Sequence, residues 1–344
     1  MNNKWFLRIS LAACALAFFV IVLGAYVRLS DAGLGCPDWP GCFGQLTAPD
    51  EADEIAQAIN KYPHLKVDSD KAWKEMIHRY FASLLGLFIL VMAFLAWRNR
   101  HDKSQQFVLP LILVALVIFQ GMLGMWTVTQ LVRPTIVTLH LLMGLLTLSL
   151  LFWVCLNQSQ LWFEKINSDE IKPGIKTLAK FAMVVLVVQL FLGGWTSTNY
   201  VALYCPDFPT CQGTWIPETN FSDAFVFFKD ATVNYEGGSL SLEAGVTVHF
   251  LHRVGALAST IVLSILTFLM LFKTTNSILR KLAVLLFLML IVQVSLGIAN
   301  VVLILPIPVA VAHNAFAALL LLSLILVNYG LNINSFRAIN FVKN

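Results

Sequence analysis

Eight long apolar segments alternate with polar segments along the chain. Each apolar segment has the length of about 20 residues that an α-helix needs to cross the hydrocarbon core of a bilayer. The segments are residues 5–27, 77–97, 107–129, 134–157, 176–197, 247–272, 279–304 and 307–331. Two longer polar loops, about 28–76 and 198–246, follow the first and fifth spans. This pattern predicts an all-α integral membrane protein with eight transmembrane helices.

The composition supports this pattern and excludes several classes of protein. Of the 344 residues, 58% are apolar and 12% are charged, whereas soluble domains contain about 45–50% apolar and about 25% charged residues. The mean hydropathy is +0.77, and the net charge is only +4. We therefore expect membrane lipid around the chain. A soluble enzyme, a disordered chain and a partner of nucleic acid are disfavoured.

Lysine and arginine residues lie at alternate ends of the eight spans, which predicts the orientation of the chain. They are Lys4, Arg8, Arg98, Arg100, Lys103, Lys165, Lys172, Lys176, Lys273, Arg280, Lys281, Arg337 and Lys343. With eight spans they all fall on one side, and the positive-inside rule makes that side the cytoplasm. We predict a bacterial cytoplasmic (inner) membrane protein with both termini inside and both long loops outside.

The chain repeats itself after about 170 residues. The heptapeptide CPDWPGC at 36–42 returns as CPDFPTC at 205–211, with an offset of 169. Other landmarks return with offsets of 173 or 174, namely His78-Arg79 as His252-Arg253, and Gln120, Gly124 and His140 as Gln293, Gly297 and His313. The repeat predicts two tandem, pseudo-symmetric four-helix bundles in the same orientation. We name them half one (residues 1–157) and half two (residues 176–331).

A leucine–glycine pair stands near the outer end of each odd-numbered span. The four pairs are Leu23-Gly24, Leu123-Gly124, Leu192-Gly193 and Leu296-Gly297. Glycine at such positions lets transmembrane helices approach closely. We therefore expect close helix contacts at these four places.

Four histidines near the outer leaflet are the main candidates for chemistry. They are His78, His140, His252 and His313. An ionisable residue at membrane depth points to function, and two imidazoles from facing helices suit a haem iron between the helices of a bundle. We predict that all four ligate haem iron, and that Arg79 and Arg253 contact the propionates. A zinc site would need more ligands converging in one half.

One charged position next to these histidines differs between the halves. Half one has EMIHR at 75–79, and half two has HFLHR at 249–253. Glu75 and His78 share a helix face, so the carboxylate would lie beside the macrocycle and could move a proton or stabilise positive charge. We predict Glu75 as catalytic, half one as the site of chemistry, and half two as the site of a resident haem. The structural alternative is a helix-start carboxylate or a partner of Arg79.

Four of the six cysteines form two pairs in the long loops, each pair with five residues between its members. The outward face of a bacterial membrane is oxidising, so disulfides Cys36–Cys42 and Cys205–Cys211 are permitted. Two interpretations stay open, a structural staple on each loop or a redox-active dithiol. A zinc site fits this setting less well. Cys14 and Cys155 lie in spans and are expected in the core.

Together these residues resemble the haem A synthase family over essentially the whole chain. The resemblance includes the eight spans, the loop cysteines, the Glu-x-x-His-Arg segment at 75–79 and the other three histidines. It also includes the segment GAYVRLS at 24–30, which leads to Gly33-Leu34. Many family members lack the loop cysteines, so the chain resembles the cysteine-bearing branch. That leaves open whether all four cysteines matter for catalysis.

The resemblance implies an enzyme that oxidises the C8 methyl group of haem O to a formyl group, giving haem A for cytochrome oxidase. Two successive hydroxylations would give an alcohol and then a gem-diol that loses water. It implies that His78 and His140 hold the substrate haem O, that His252 and His313 hold haem b, and that Glu75 is the essential carboxylate. The implied partner is the protohaem farnesyltransferase that makes haem O. The electron donor or acceptor and a homo-oligomer stay open.

Three other functions compete with this interpretation. A dihaem electron-transfer protein of the quinol-oxidoreductase type explains four histidines and does not require Glu75. An outward-facing thiol oxidoreductase explains the loop cysteines but leaves the histidines unused, and it would usually carry a C-x-x-C pair, which is absent here. A duplicated transporter would place polar residues at the midplane, whereas here they gather near one face.

Overall fold

The computed structural model describes residues 2–102, 106–159, 166 and 171–333 of the chain. Within these residues it forms ten helices and no extended strand. They are α1 (Asn2–Leu29), α2 (Ala52–Lys61), α3 (Ser69–Arg98), α4 (Val108–Thr129), α5 (Pro134–Ser159), α6 (Pro173–Thr198), α7 (Phe221–Ala224), α8 (Leu242–Lys273), α9 (Ser277–Val302) and α10 (Ile307–Leu331).

Eight of these helices, all except α2 and α7, are long and apolar enough to cross a membrane. The predicted all-α class with eight spans is therefore confirmed. Four residues that we used to predict the orientation lie outside the described residues, namely Lys103, Lys165, Arg337 and Lys343.

Two spanning helices begin at least five residues earlier than the hydropathy predicts. Helix α3 begins at Ser69 rather than at residue 77, and α8 begins at Leu242 rather than at residue 247. Each has a side-chain cap, because Asp68 accepts the Lys71 N–H at 3.1 Å and Ser241 accepts the Ala244 N–H at 3.3 Å. The first turn of α3 is polar, and that of α8 contains Glu243, Ala244 and Gly245, so neither turn adds a strong apolar signal. Glu75 and His78 therefore lie inside α3 rather than at its mouth.

The spanning helices pack in two rings of four. In the first ring α1 packs on α3, α3 on α4, α4 on α5 and α5 on α1, and in the second α6, α8, α9 and α10 do the same in that order. The rings meet where α10 packs on α1 and α5, and where α5 packs on α6. One apolar cluster has members in all eight spanning helices. The pseudo-symmetry and the boundaries of the two halves stay predictions.

Two extramembrane loops connect equivalent helices of the two rings. Loop one joins α1 to α3 and contains α2, and loop two joins α6 to α8 and contains α7. Each loop carries a disulfide, between Cys36 and Cys42 in loop one and between Cys205 and Cys211 in loop two. The free cysteine Cys155 is buried and Cys14 is partly buried.

Candidate functional site

The four candidate histidines form two pairs, one in each ring. His78 on α3 lies within electrostatic range of His140 on α5, and His252 on α8 lies within range of His313 on α10. Each of the four histidine residues is partly exposed. The Nδ1 atoms of His78, His140 and His313 are nevertheless buried and have no hydrogen-bond partner within the described part of the chain. Each pair thus presents two imidazoles from different helices of the same four-helix ring.

Each of these imidazoles lies against one glycine of a neighbouring helix. The four glycines are those of the leucine–glycine pairs, on α1, α4, α6 and α9. A Cβ atom added to Gly24 would lie 2.9 Å from Cε1 of His78, and one added to Gly124 would lie 3.4 Å from Cε1 of His140. A Cβ atom added to Gly193 would lie 3.1 Å from Cε1 of His252, and one added to Gly297 would lie 3.1 Å from Cε1 of His313. The sequence predicted close approach at these glycines, and the structure shows that a histidine ring makes it.

Three glutamine side chains contact the same histidines from the helices that carry the glycines. Gln120 donates from Nε2 to the His140 carbonyl at 2.8 Å, and Gln293 Nε2 lies 3.4 Å from His313 Nε2. Gln189 Nε2 lies 3.0 Å from His252 Nδ1 and donates to the His252 carbonyl at 3.0 Å. The sequence marked Gln120 and Gln293 only as landmarks of the repeat. It missed Gln189, whose signal was a polar residue inside an apolar span.

Glu75 is only 5% exposed, and both of its carboxylate oxygens are engaged. Oε2 accepts the backbone N–H of Cys36 at 2.9 Å, and Oε1 accepts Nη2 of Arg79 at 2.5 Å. The carboxylate therefore ties the first cysteine of loop one to helix α3. The predicted structural alternative, a partner for Arg79, is present in the structure, and the catalytic role stays a prediction.

His249 makes the corresponding contacts in half two. Its Nδ1 accepts the backbone N–H of Cys205 at 3.1 Å, and its Nε2 lies 3.3 Å from Nε of Arg253. An imidazole and a carboxylate thus occupy the same position between a loop cysteine and an arginine, but a neutral imidazole has one acceptor nitrogen, so only the carboxylate accepts hydrogen bonds from both neighbours. Glu75 and His249 therefore share their position and differ in charge and in the number of hydrogen bonds that they accept.

Arg79 and Arg253, which the repeat places at equivalent positions, donate to backbone carbonyls of their disulfide loops. The acceptors of Arg79 Nη1 are the carbonyls of Asp38 at 2.9 Å, Pro40 at 3.3 Å and Gly41 at 2.5 Å. The acceptors of Arg253 are the carbonyls of Asp207 at 2.7 Å and Thr210 at 2.8 Å for Nη1, and that of Cys205 at 2.6 Å for Nη2. The guanidinium groups therefore close the loops onto α3 and α8. The propionate contact predicted for them stays a prediction.

An aspartate inside each heptapeptide closes the turn that follows the second cysteine. Asp38 accepts the N–H of Gly44 at 2.6 Å. Asp207 accepts the N–H groups of Gln212 at 2.6 Å and Gly213 at 3.0 Å, as well as the Thr210 hydroxyl. The Thr210 hydroxyl, together with these N–H donors, holds the pKa of the Asp207 carboxyl below its usual value. Both loops are thus compact structures around a disulfide.

Arg28 links the two rings at the end that carries the loops. Its Nη2 donates to the Ser197 carbonyl at 2.5 Å, and its guanidinium lies 3.6 Å from the centre of the Tyr200 ring. The hydroxyls of Thr138 and Thr198 are 2.9 Å apart nearby. Arg28 belongs to the GAYVRLS segment, and the sequence alone did not indicate this contact.

Comparison with known proteins adds the family. Residues 7–325 match the family model COX15-CtaA, described as cytochrome oxidase assembly protein. The chain is 43% identical over 329 residues to the heme A synthase of Shewanella oneidensis, which covers 96% of each chain. It is 28% identical to the heme A synthase of Shouchella clausii, over 60% of this chain and 63% of that protein. It is 29% identical to the heme A synthase of Halalkalibacterium halodurans, over 72% and 69%.

Proposed function

The chain belongs to the COX15-CtaA family of cytochrome oxidase assembly proteins, and on this basis we propose that it oxidises the C8 methyl group of haem O to a formyl group. The predicted haem A synthase function is confirmed by the family match and by the relative of 43% identity. The chain is therefore an enzyme that acts in haem A formation. The two successive hydroxylations are our proposal for how the methyl group becomes a formyl group.

The arrangement of the four histidines carries the proposal. Each ring of helices offers two imidazoles from different helices, which is the ligand set of a bis-histidine haem. Three of the four imidazoles have a buried Nδ1 atom without a partner among the described residues, so hydrogen bonding within the protein does not account for these side chains. The residues thus fit haem. We propose that haem O binds at His78 and His140, and that haem b binds at His252 and His313.

The haem iron supplies the redox chemistry when haem is bound, and the protein residues position it. The glycines keep the space against each imidazole free of a side chain. Arg79 and Arg253 would hold the propionates in this proposal, because both arginines stand at the boundary between their ring of helices and its loop. Each guanidinium has five N–H donors in all, which allows a propionate in addition to the loop carbonyls.

Glu75 is the residue that we propose to carry the chemistry. Holding the first cysteine of the loop does not require a carboxylate, because the imidazole of His249 accepts the equivalent backbone N–H in half two. The bond to the loop therefore does not explain the negative charge in half one. Its bonds to Cys36 and Arg79 hold the carboxylate in place one turn from His78, where it can take a proton or offset positive charge that develops on the substrate.

The eight apolar helices and the relatives of the chain fit a protein of the bacterial inner membrane. We propose that both termini are cytoplasmic and that the disulfide loops face outward. We further propose that the protohaem farnesyltransferase delivers haem O, and that a separate electron donor or acceptor completes the reaction. Homo-oligomer formation is open to test by the mass of the purified detergent complex.

Extraction and chromatography of the haems in the purified protein test the proposed function. We expect haem B together with haem O, a hydroxylated intermediate or haem A. If haem B is the only haem, and if substitution of His78 or His140 removes half of it, a dihaem electron-transfer protein is favoured. The Glu75→Ala variant should then change no haem at all.

A further inference from the structure

We propose that Gln189 is a positioning residue that makes His252 a permanent iron ligand, and that the lack of its counterpart leaves His78 an exchangeable ligand. The inference rests on the proposed haem sites in the two halves. It concerns a difference between those sites that follows from four residues, Gln189 and Gly255 in half two and Val20 and Phe81 in half one.

The His252 ring is held by α6 in two places. Gly193 lies against its Cε1 atom, and Gln189, one turn earlier on α6, places its amide 3.0 Å from Nδ1. The same amide donates to the carbonyl of His252 at 3.0 Å. Neither ring rotation nor a shift of α8 along α6 preserves these contacts. The Gln189 Oε1 atom is buried and has no partner within the described residues.

A glycine on α8 makes room for this amide. A Cβ atom on Gly255 would overlap Oε1 of Gln189 and would lie 3.0 Å from Cδ1 of Leu192. Any other residue at position 255 would therefore push the amide away from His252. Gln189 and Gly255 act as a pair, in which one residue reaches the histidine and the other leaves the space that it needs.

Half one has a different pair at the equivalent positions. The offset that relates Gly24 to Gly193 relates Val20 to Gln189, and the offset that relates His78 to His252 relates Phe81 to Gly255. Val20 is buried and has no polar group. Phe81 is a large aromatic residue whose ring packs edge-on against Phe19, with 4.9 Å between ring centroids. Both positions differ together, so half one has neither the amide nor the glycine that accommodates it.

The consequence for His78 is a ring nitrogen without a hydrogen bond. Its Nδ1 atom is buried and unpartnered among the described residues. When a histidine binds iron through Nε2, its ring proton lies on Nδ1, and an acceptor there fixes the ring and strengthens the ligand. A half-turn of the Gln189 amide gives His252 that acceptor and gives the unpartnered Oε1 a donor, in exchange for the bond to the His252 carbonyl. His78 has no such acceptor.

The second ligands do not share this difference. His140 and His313 have equivalent glutamines, Gln120 and Gln293, and the Nδ1 atoms of both rings lack a partner. The asymmetry is therefore confined to the ligands on α3 and α8. It matches the task of each site, because a substrate haem must be released as product whereas a resident haem must stay.

The test compares haem release from full-length protein purified with its haems. Transfer to an excess of apomyoglobin gives the dissociation rate for each site, and a redox titration gives the midpoint potential of the resident haem. We expect Gln189→Leu to accelerate release from half two by about 10- to 100-fold and to raise the potential, because the ligand loses its acceptor. Gln120→Leu is the matched control and should leave the release rate from half two unchanged.

A second variant keeps the test decisive if Gln189→Leu does not accumulate as folded protein. Gln189→Glu retains an acceptor oxygen and should hold the haem with a lowered potential. An unchanged release rate and potential in Gln189→Leu, or an unchanged potential in Gln189→Glu, would overturn the inference. The proposed haem site itself fails by a different result, namely wild-type protein with no more haem in half two than His252→Ala.

Discussion

The Glu75 carboxylate and the His249 imidazole occupy the same position between loop and helix in the two halves of the molecule. Each accepts the backbone N–H of the first cysteine of its disulfide loop, and each lies beside the arginine four residues later. This correspondence separates two roles that Glu75 combines. One is to anchor a loop, which either residue type performs, and the other is to supply a negative charge, which only Glu75 performs.

Replacement of Glu75 by histidine should therefore keep the loop and stop the chemistry. We expect Glu75→His to preserve the Cys36–Cys42 disulfide and the haem b spectrum, but to lower haem A formation by about 10²–10⁴-fold, the usual effect of removing an acid–base group. Haem A is measured by chromatography of extracted pigment. The Glu75→Ala variant should also lose haem A and should loosen loop one. Normal haem A yield in Glu75→His would show that Glu75 is an anchor only.

Loss of either histidine in half two should remove the resident haem. We expect His252→Ala and His313→Ala to lack the bis-histidine absorption spectrum of haem b in the purified protein. His249→Ala is the matched control, because His249 lies on the same helix but bonds to Cys205 and lies beside Arg253. An unchanged spectrum in His252→Ala would refute the ligand assignment.

Alanine substitutions at the four glycines should reduce haem content in the order of their clearance from the histidine rings. The added Cβ atom would lie 2.9 Å from the ring at Gly24 and 3.4 Å at Gly124, with Gly193 and Gly297 between them at 3.1 Å. We expect strain of about 1–3 kcal/mol at the tightest site, as for overpacking in a core, and little at Gly124. The haem-to-protein ratio measures the effect.

Two other glycines provide matched controls for these alanine substitutions. Gly121 lies on the same helix as Gly124, and Gly86 lies on the same helix as His78, yet a Cβ atom on either would have no neighbour within 4 Å among the contacts described. Gly121→Ala and Gly86→Ala should keep the haem content of the unmodified protein. If they lose as much haem as Gly24→Ala, the effect comes from helix propensity or lipid contact and not from the rings.

Acidification should weaken loop two through Asp207. Because the folded-state pKa of this carboxyl is lowered, its contribution is present above the ordinary value of about 4 and is lost as the pH falls through the lowered value. Reduction of Cys205–Cys211 by a phosphine should therefore be faster at pH 3 than at pH 6. Asp207→Asn should show fast reduction at both pH values. A wild-type rate that does not change with pH would contradict this role.

The sequence by itself determined the number and approximate bounds of the spanning helices. A bilayer requires an apolar run of fixed length, and that requirement is written directly in the hydropathy. The first turns of α3 and α8 escaped it, because side-chain caps at Asp68 and Ser241, and not apolar runs, begin those helices. The sequence also singled out the four histidines, Glu75 and the loop cysteines, since polar or paired residues stand out against an apolar or repeated background.

Only the tertiary structure decided which residues meet. The pairing of each histidine with one glycine, the match of Gln189 with Gly255, and the equivalence of Glu75 and His249 all join residues of different helices or loops. In lipid the buried and lipid-facing sides of a helix are similarly apolar, so hydropathy does not identify the side that packs against a neighbour. Those contacts depend on shape and on individual hydrogen bonds, which become visible only when the eight helices are placed together.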